Sequence, residues 1–197
     1  MDTGIAPTIP SYFRYWGKAS PCTSDGPLYH LLPYHCLDVA AVGWKLLDPE
    51  QPRCRSLAAQ LVVDPEWLQR WFTFSLALHD LGKFAVAFQG LVPGLSDKLV
   101  PANPSKPYSQ RHDSLGYLLW KDWLGLELLN DSWADRSPWR RAGQGVNALD
   151  PWMRVVTGHH GIPPDDLLSG HGRWFDSGDQ QAALDYVREL SEWLLPD

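Results

Sequence analysis

The sequence is poor in cysteine: Cys22, Cys36 and Cys54 are its three, and no two of them form a Cys-x-x-Cys pair. That argues against a disulfide framework and against a zinc-thiolate site, and it suits a reducing compartment such as the cytoplasm. Long apolar runs are also missing. None approaches the ~20 residues that span a bilayer, so no membrane segment is expected. The start, Met1 to Pro7, lacks the basic and then apolar stretches of a secretory signal. Positive charge is scarce too. There are 17 Lys and Arg against 23 Asp and Glu, a net charge of −6. Nucleic-acid binders usually carry a basic excess over the binding face. Tight, independent DNA binding is therefore not predicted from charge, although bound divalent cations could reverse the field locally at a cleft. No internal repeat and no low-complexity tract occurs.

What is present is apolar bulk. A 44% apolar fraction with eleven Trp in 197 residues predicts a packed globule, long enough for one domain with a full core. Residues 1–27, rich in Pro, Gly and Ser, read as an irregular N-terminal arm. Its aromatic cluster, Tyr12 to Lys18, either packs onto the domain or offers nucleic acid a stacking surface.

From Pro33 to Leu47 the period turns helical, with Leu37, Ala40, Ala41, Trp44 and Leu47 on one face. Asp48 to Pro52 breaks that helix, and a short one from Ser56 to Val62 follows. Asp64-Pro65-Glu66 reads as an N-cap with proline at the first helical position. The helix it opens carries Trp67, Trp71, Phe74 and Leu78 on its core side. Lys83 to Gln89 adds a further turn or two.

Residues 92–110 are proline-rich and read as a long loop, and loops of that length are often functional. Helices then begin at Arg111-His112-Asp113-Ser114 and at Asp150-Pro151-Trp152, and a last one runs from about Ser177 to Leu195. The fold class expected is all-α. Between residues 130 and 148, Arg136, Arg140 and Arg141 form the best local basic patch, either a solvated loop or a phosphate contact.

The chemistry concentrates in Leu78-His79-Asp80-Leu81-Gly82-Lys83. Adjacent His and Asp are good ligands for first-row transition metals. They can point one way only where the backbone is irregular, which Gly82 would permit. Five histidines and this Asp sit at the edges of separate predicted helices: His35, His79, Asp80, His112, His159 and His160. Helical domains build metal sites by such convergence. His30 and His171 fit no spacing and are taken as structural. One metal needs three or four protein ligands, so six suggest two ions bridged by Asp80. The donor set suits Mn, Fe, Co, Ni or Zn better than Mg or Ca. Two such ions about 3.5–4 Å apart polarise a phosphoryl oxygen and generate a metal-bound hydroxide, which makes phosphodiester cleavage the natural chemistry.

These stretches resemble a known family. Tyr15-Trp16-Gly17-Lys18, His30 to Ala40, Ala77 to Phe84, Arg111-His112 with Gly116, and Val156 to Gly161 recur, in that order, in the N-terminal HD nuclease domain of the CRISPR type I nuclease-helicase. The first and last are specific to its Cascade-dependent branch. The resemblance implies an HD-domain helical fold around a central metal site. It assigns one metal to His35, His79 and Asp80, and a second to Asp80, His112, His159 and His160. Mn, Ni, Co and Fe are the ions it favours. It makes Asp80 and Lys83 catalytic, with Lys83 stabilising charge on the phosphate. Arg140 and Arg141 remain candidate substrate contacts.

The implied substrate is single-stranded DNA, presented through the Cascade surveillance complex and a helicase domain. Two departures stand out. The family's further Asp, in an Ala-Asp-Trp type motif, is not found; Asp185 and Asp197 sit in the wrong company. No Gly-x-x-x-x-Gly-Lys-Ser/Thr loop occurs, so the helicase is absent. Residues 1–197 are accordingly expected to form one HD nuclease domain, C-terminally shortened, with Trp193 and Leu194 exposed. Two alternatives stand beside the nuclease: an HD phosphohydrolase acting on nucleotides, and a silent module that docks on a partner.

Overall fold

In the computed structural model, which describes residues 9–20, 26–128 and 149–195, four helices carry a proline in their first turn. Proline suits that position because its φ is already helical and its missing N–H would have had no partner. The helices are α1 (Leu32–Leu46), α2 (Pro52–Leu61), α3 (Pro65–Ala77), the single turn α4 (Val86–Gln89), α5 (His112–Leu119), α6 (Asp150–Thr157) and α7 (Ser177–Leu194). A 3-10 turn, Leu81–Phe84, lies between α3 and α4. Helix α5 runs on through a π-helical turn, Trp120–Leu124, and a last turn, Gly125–Glu127. The fold is all-α apart from one small hairpin, and among the described residues no helix is long and apolar enough to cross a membrane.

Of the expected face of α1, Ala40 and Leu47 are buried and Leu37 and Trp44 half-buried, but Ala41 is exposed, and Leu32, Cys36 and Gly43 are buried beside them. The reason is the crossing with α3. A Cβ at Gly43 would stand 2.2 Å from Leu76 Cδ1, so the helices meet where α1 has no side chain. Helix α2 starts at Pro52 rather than at Ser56, so the proline expected as a breaker opens the next helix.

Helix α3 begins as predicted. Asp64 Oδ1 accepts from the amides of Glu66 and Trp67, both at 2.9 Å. Asp64→Ala is expected to cost about 1 kcal/mol, read as a lower urea midpoint at unchanged m-value. Asp150 opens α6, where a helix start was expected. It lies inside the first turn of α6 and makes no cap; its carboxylate accepts from Trp120 Nε1 at 2.9 Å.

The described residues of the N-terminal arm are more ordered than its composition suggests. Ser11–Arg14 forms a 3-10 turn, and β1 (Trp16–Ala19) pairs antiparallel with β2 (Tyr29–Leu31). Trp16 faces Leu31 and Lys18 faces His30, so Gly17 is one residue extra on β1, a bulge. Tyr12, Tyr15 and Trp16 are buried in the main core, so the cluster packs onto the domain and is not a stacking surface.

That core joins α1, α3, α5 and α7, with a smaller cluster of Leu47, Cys54, Ala58 and Leu68 beneath α2. Helix α7 opens with a capping box of Asp176 and Asp179. The Asp179 carboxylate also accepts from Tyr15 Oη at 2.8 Å and from the Val86 amide at 3.0 Å, tying the arm, α4 and α7 together. At the end of α7 Trp193 is exposed, but Leu194 is buried, against expectation. Residues 92–110 contain no helix or strand, as predicted, and are pinned by the Val100 amide on the Arg14 carbonyl at 2.8 Å.

Candidate metal centre

Helix α3 ends at Ala77, and the next residues turn sharply enough to put His79 and Asp80 on one pocket. Gly82 matters here, but not through an unusual backbone angle; its φ is not left-handed. A Cβ on Gly82 would lie 1.8 Å from the His112 carbonyl oxygen and 2.5 Å from the Gly116 amide. A Cβ on Gly116 would in turn meet the Gly82 amide at 3.0 Å. Two bare backbones therefore touch, and this contact carries the start of α5, with His112, up against the His79-Asp80 turn.

Asp80 is 1% exposed and stands at the centre. Its Oδ2 lies 2.9 Å from His35 Nε2, 3.1 Å from His79 Nε2 and 2.8 Å from Lys83 Nζ. Its Oδ1 has His112 Nε2 at 3.3 Å and His159 Nε2 at 3.5 Å, yet accepts no hydrogen bond. Beyond it, His160 Nε2 and His112 Nε2 are 2.8 Å apart. The ligand atoms fall into two groups, His35 with His79 and Asp80, and His112 with His159 and His160; within each, all lie within 4.8 Å of one another. His79 and Asp80 are buried while His159 and His160 are exposed, so the pocket has a deep side and an open side.

The donor chemistry fits divalent cations. His79 Nδ1 lies 2.7 Å from the Leu76 carbonyl and donates to it. With Nδ1 so engaged, Nε2 is the nitrogen that His79 presents to Asp80 Oδ2 and to a cation held beside it. The unpaired Oδ1 and the facing nitrogens of His112 and His160 ask for the same thing on the other side. A buried acceptor without a partner is costly and calls for an explanation.

Burial works against ionisation of Asp80, but the imidazoles of His112, His35 and His79 outweigh it and hold the carboxyl well below the usual range. Burial also lowers the His159 pKa to about 4, partly offset by the Asp80 charge, so near neutrality its nitrogen is unprotonated.

All six residues expected to hold metal thus converge. Lys83 is only 12% exposed and donates from Nζ to the Gly17 carbonyl at 2.9 Å as well as to Asp80. His30 and His171 join neither ligand group: His30 stands beside the cluster, its ring centroid 6.4 Å from that of His35 and its Nε2 3.0 Å from Asp38, and His171 lies 3.9 Å from Asp122. Arg136, Arg140, Arg141 and Asp197 lie outside the described residues. Asp185 accepts from Gln181, and no further carboxylate among the described residues joins either ligand group.

Three contributors were not foreseen. The Gly17 carbonyl holds Lys83; Gln89 bridges β1 and the Lys83 turn; Tyr108 Oη accepts from the His112 amide at 2.9 Å. Gln89 had a signal, a lone amide closing the apolar run Phe84 to Phe88. Tyr108, inside a proline-rich loop, had none.

The comparisons with known proteins agree on one family. The sequence model described as "Cas3, HD domain" matches residues 16–196. The CRISPR-associated endonuclease/helicase Cas3 of Escherichia coli (strain K12) is 32% identical over 201 residues, an alignment that takes in 92% of this chain and 22% of that protein. A crystal structure described as that of a CRISPR-associated protein superposes with a TM-score of 0.59 at 25% identity, over 94% of this chain and 20% of that one. The chain therefore spans about a fifth of the length of the relatives it matches.

Proposed function

The chain belongs to the Cas3 HD-domain family, and from that premise we propose that it is a metal-dependent nuclease that hydrolyses phosphodiester bonds in single-stranded DNA. The observation that carries this reading is the buried Asp80 carboxylate, set between two groups of imidazoles with one oxygen unpaired. His35, His79 and Asp80 would hold one ion; Asp80, His112, His159 and His160 would hold the other. Mn, Co, Ni or Fe suits these donors better than Zn or Mg. When bound, such ions supply Lewis acidity to a phosphoryl oxygen and to the attacking water.

The chain's own residues prepare for that. Asp80 stays ionised and Lys83 balances its charge from one side. Two of the three Lys83 N–H groups are committed, to Asp80 and to Gly17, and the ammonium lies 5.6 Å from the Phe88 ring centroid; a phosphate oxygen would be met by the third. The Tyr108 hydroxyl fixes the first turn of α5 and with it His112. The exposed His159 and His160 mark the side from which a strand would enter.

Single-stranded substrate is supported by the relative's pairing of endonuclease with helicase, since unwinding yields single strands. The net charge of −6 fits a domain to which DNA is brought, here by a helicase domain and the Cascade complex, rather than one that captures it unaided.

The test is turnover by the purified chain on single-stranded DNA, duplex DNA and nucleotides, with Mn, Co or Ni, alongside calorimetric metal titration. Cleavage of single strands that needs metal and stops with chelator is expected, with binding in two unequal steps. The His35 group should fill second, because Lys83 already occupies the Asp80 oxygen it shares. Turnover of nucleotides alone would make the protein an HD phosphohydrolase. Metal binding with no turnover of any substrate would make it a silent module.

A further inference from the structure

Lys83 owes its place to a residue six positions on. Gln89 is 2% exposed, and its amide is fully engaged. Oε1 accepts from the Trp16 amide at 3.0 Å. Nε2 donates to the Trp16 carbonyl at 3.0 Å and to the Lys83 carbonyl at 2.7 Å. Trp16 Nε1 returns a bond to the Gln89 carbonyl at 3.3 Å. Gln89 thus pairs with Trp16 as a strand neighbour would, at the residue just before the Gly17 bulge.

A bulge re-aims backbone groups that the ladder would otherwise use. Here it frees the Gly17 carbonyl, which accepts from Lys83 Nζ at 2.9 Å. One side chain therefore fixes both ends of Lys83: its own carbonyl directly, and through Trp16 the carbonyl that receives its ammonium.

We propose that Gln89 is a positioning residue for the reaction: by clamping Trp16 and the Lys83 backbone it aims the remaining N–H of Lys83 at the phosphate. This rests on the nuclease reading above and adds to it a residue that touches neither substrate nor metal. Ground-state binding does not need that aim, whereas charge building on a phosphoryl oxygen does. Loss of Gln89 should therefore appear in kcat and not in KM.

Gln89→Met keeps length and burial and removes every side-chain hydrogen bond. In the 197-residue chain it should lower kcat for single-stranded DNA about 10- to 100-fold, the usual effect of removing a supporting bond at a metal site. KM and calorimetric Mn affinity should each change less than about threefold. In a Lys83→Ala background the same change should lower kcat little further, because the two act as one unit. Should the Met variant not fold, Gln89→Glu keeps the acceptor for the Trp16 amide, removes both donations, and is expected to give the same split.

A second readout needs no substrate. The hydrogen-bonded Lys83 ammonium should give a slowly exchanging 15N side-chain resonance that broadens or shifts in either variant. Parental kcat in the variant that folds, full additivity with Lys83→Ala, or an unmoved Lys83 resonance would each overturn the proposal. If the parent cuts no DNA, the nuclease reading fails, and the resonance alone decides the placement of Lys83.

Discussion

Replacement of Asp80 by asparagine is expected to slow cleavage of single-stranded DNA roughly 10³-fold and to abolish metal binding by the His35 group. The figure corresponds to several kcal/mol of lost transition-state charge stabilisation, at about 1.4 kcal/mol per tenfold. Asparagine fills the same volume, so the core is not opened. What goes is the negative charge that stands between the two groups of imidazoles, at a residue that is 1% exposed.

A second effect must be separated from the first. Without Asp80 the Lys83 ammonium, 12% exposed, loses its counter-charge, and breaking a buried pair from one side costs about 3–5 kcal/mol. Urea unfolding of Asp80→Asn should show a loss of that order. Adding Lys83→Met should recover most of the stability and none of the activity. If Asp80→Asn cleaves at the parental rate while folded, the bridged metal centre is wrong.

The second large effect is predicted for a glycine that touches no ligand atom. Gly82→Ala places a methyl group 1.8 Å from the His112 carbonyl oxygen and 2.5 Å from the Gly116 amide. Both obstacles are backbone, so no rotamer change relieves them. The turn and α5 must separate, which breaks packing at the middle of the core. Overpacking of side chains alone typically costs 1–3 kcal/mol, and a clash with main chain should reach or exceed the top of that range, about 3 kcal/mol.

Separation also draws His112 away from Asp80, so Mn affinity should fall about tenfold or more in the fraction that remains folded. Gly178→Ala is the control. Nothing lies within 4 Å of its Cβ position, and it sits in the first turn of α7, so the change should be neutral or slightly stabilising. Equal stability of the two variants would show that the backbone contact does not clamp the site.

The helices and the residues that gather around Asp80 were legible in the sequence because both are local signals. Apolar residues at helical spacing mark α1, α3, α5 and α7. Histidines and one Asp at helix edges are rare enough to be noticed. What could not be read is what depends on how closely elements approach. Ala41 was wrongly included in the buried face of α1 and Gly43 left out, because a glycine packed against Leu76 of α3 is invisible to a hydrophobic pattern. Gly82 was expected to supply a backbone angle and instead supplies room. The arm was taken as irregular because its proline and glycine content hides a strand whose order comes from Gln89 and from burial of Trp16. The Gly17 carbonyl that receives Lys83 could not be read because it lies far off in sequence.

The bulged strand that receives Lys83 is made long before the paired histidines. A nascent polypeptide leaving the ribosome therefore has the three residues of the His35 group early, whereas the His112 group waits until translation has passed His160. Order of synthesis alone thus separates the two groups in time.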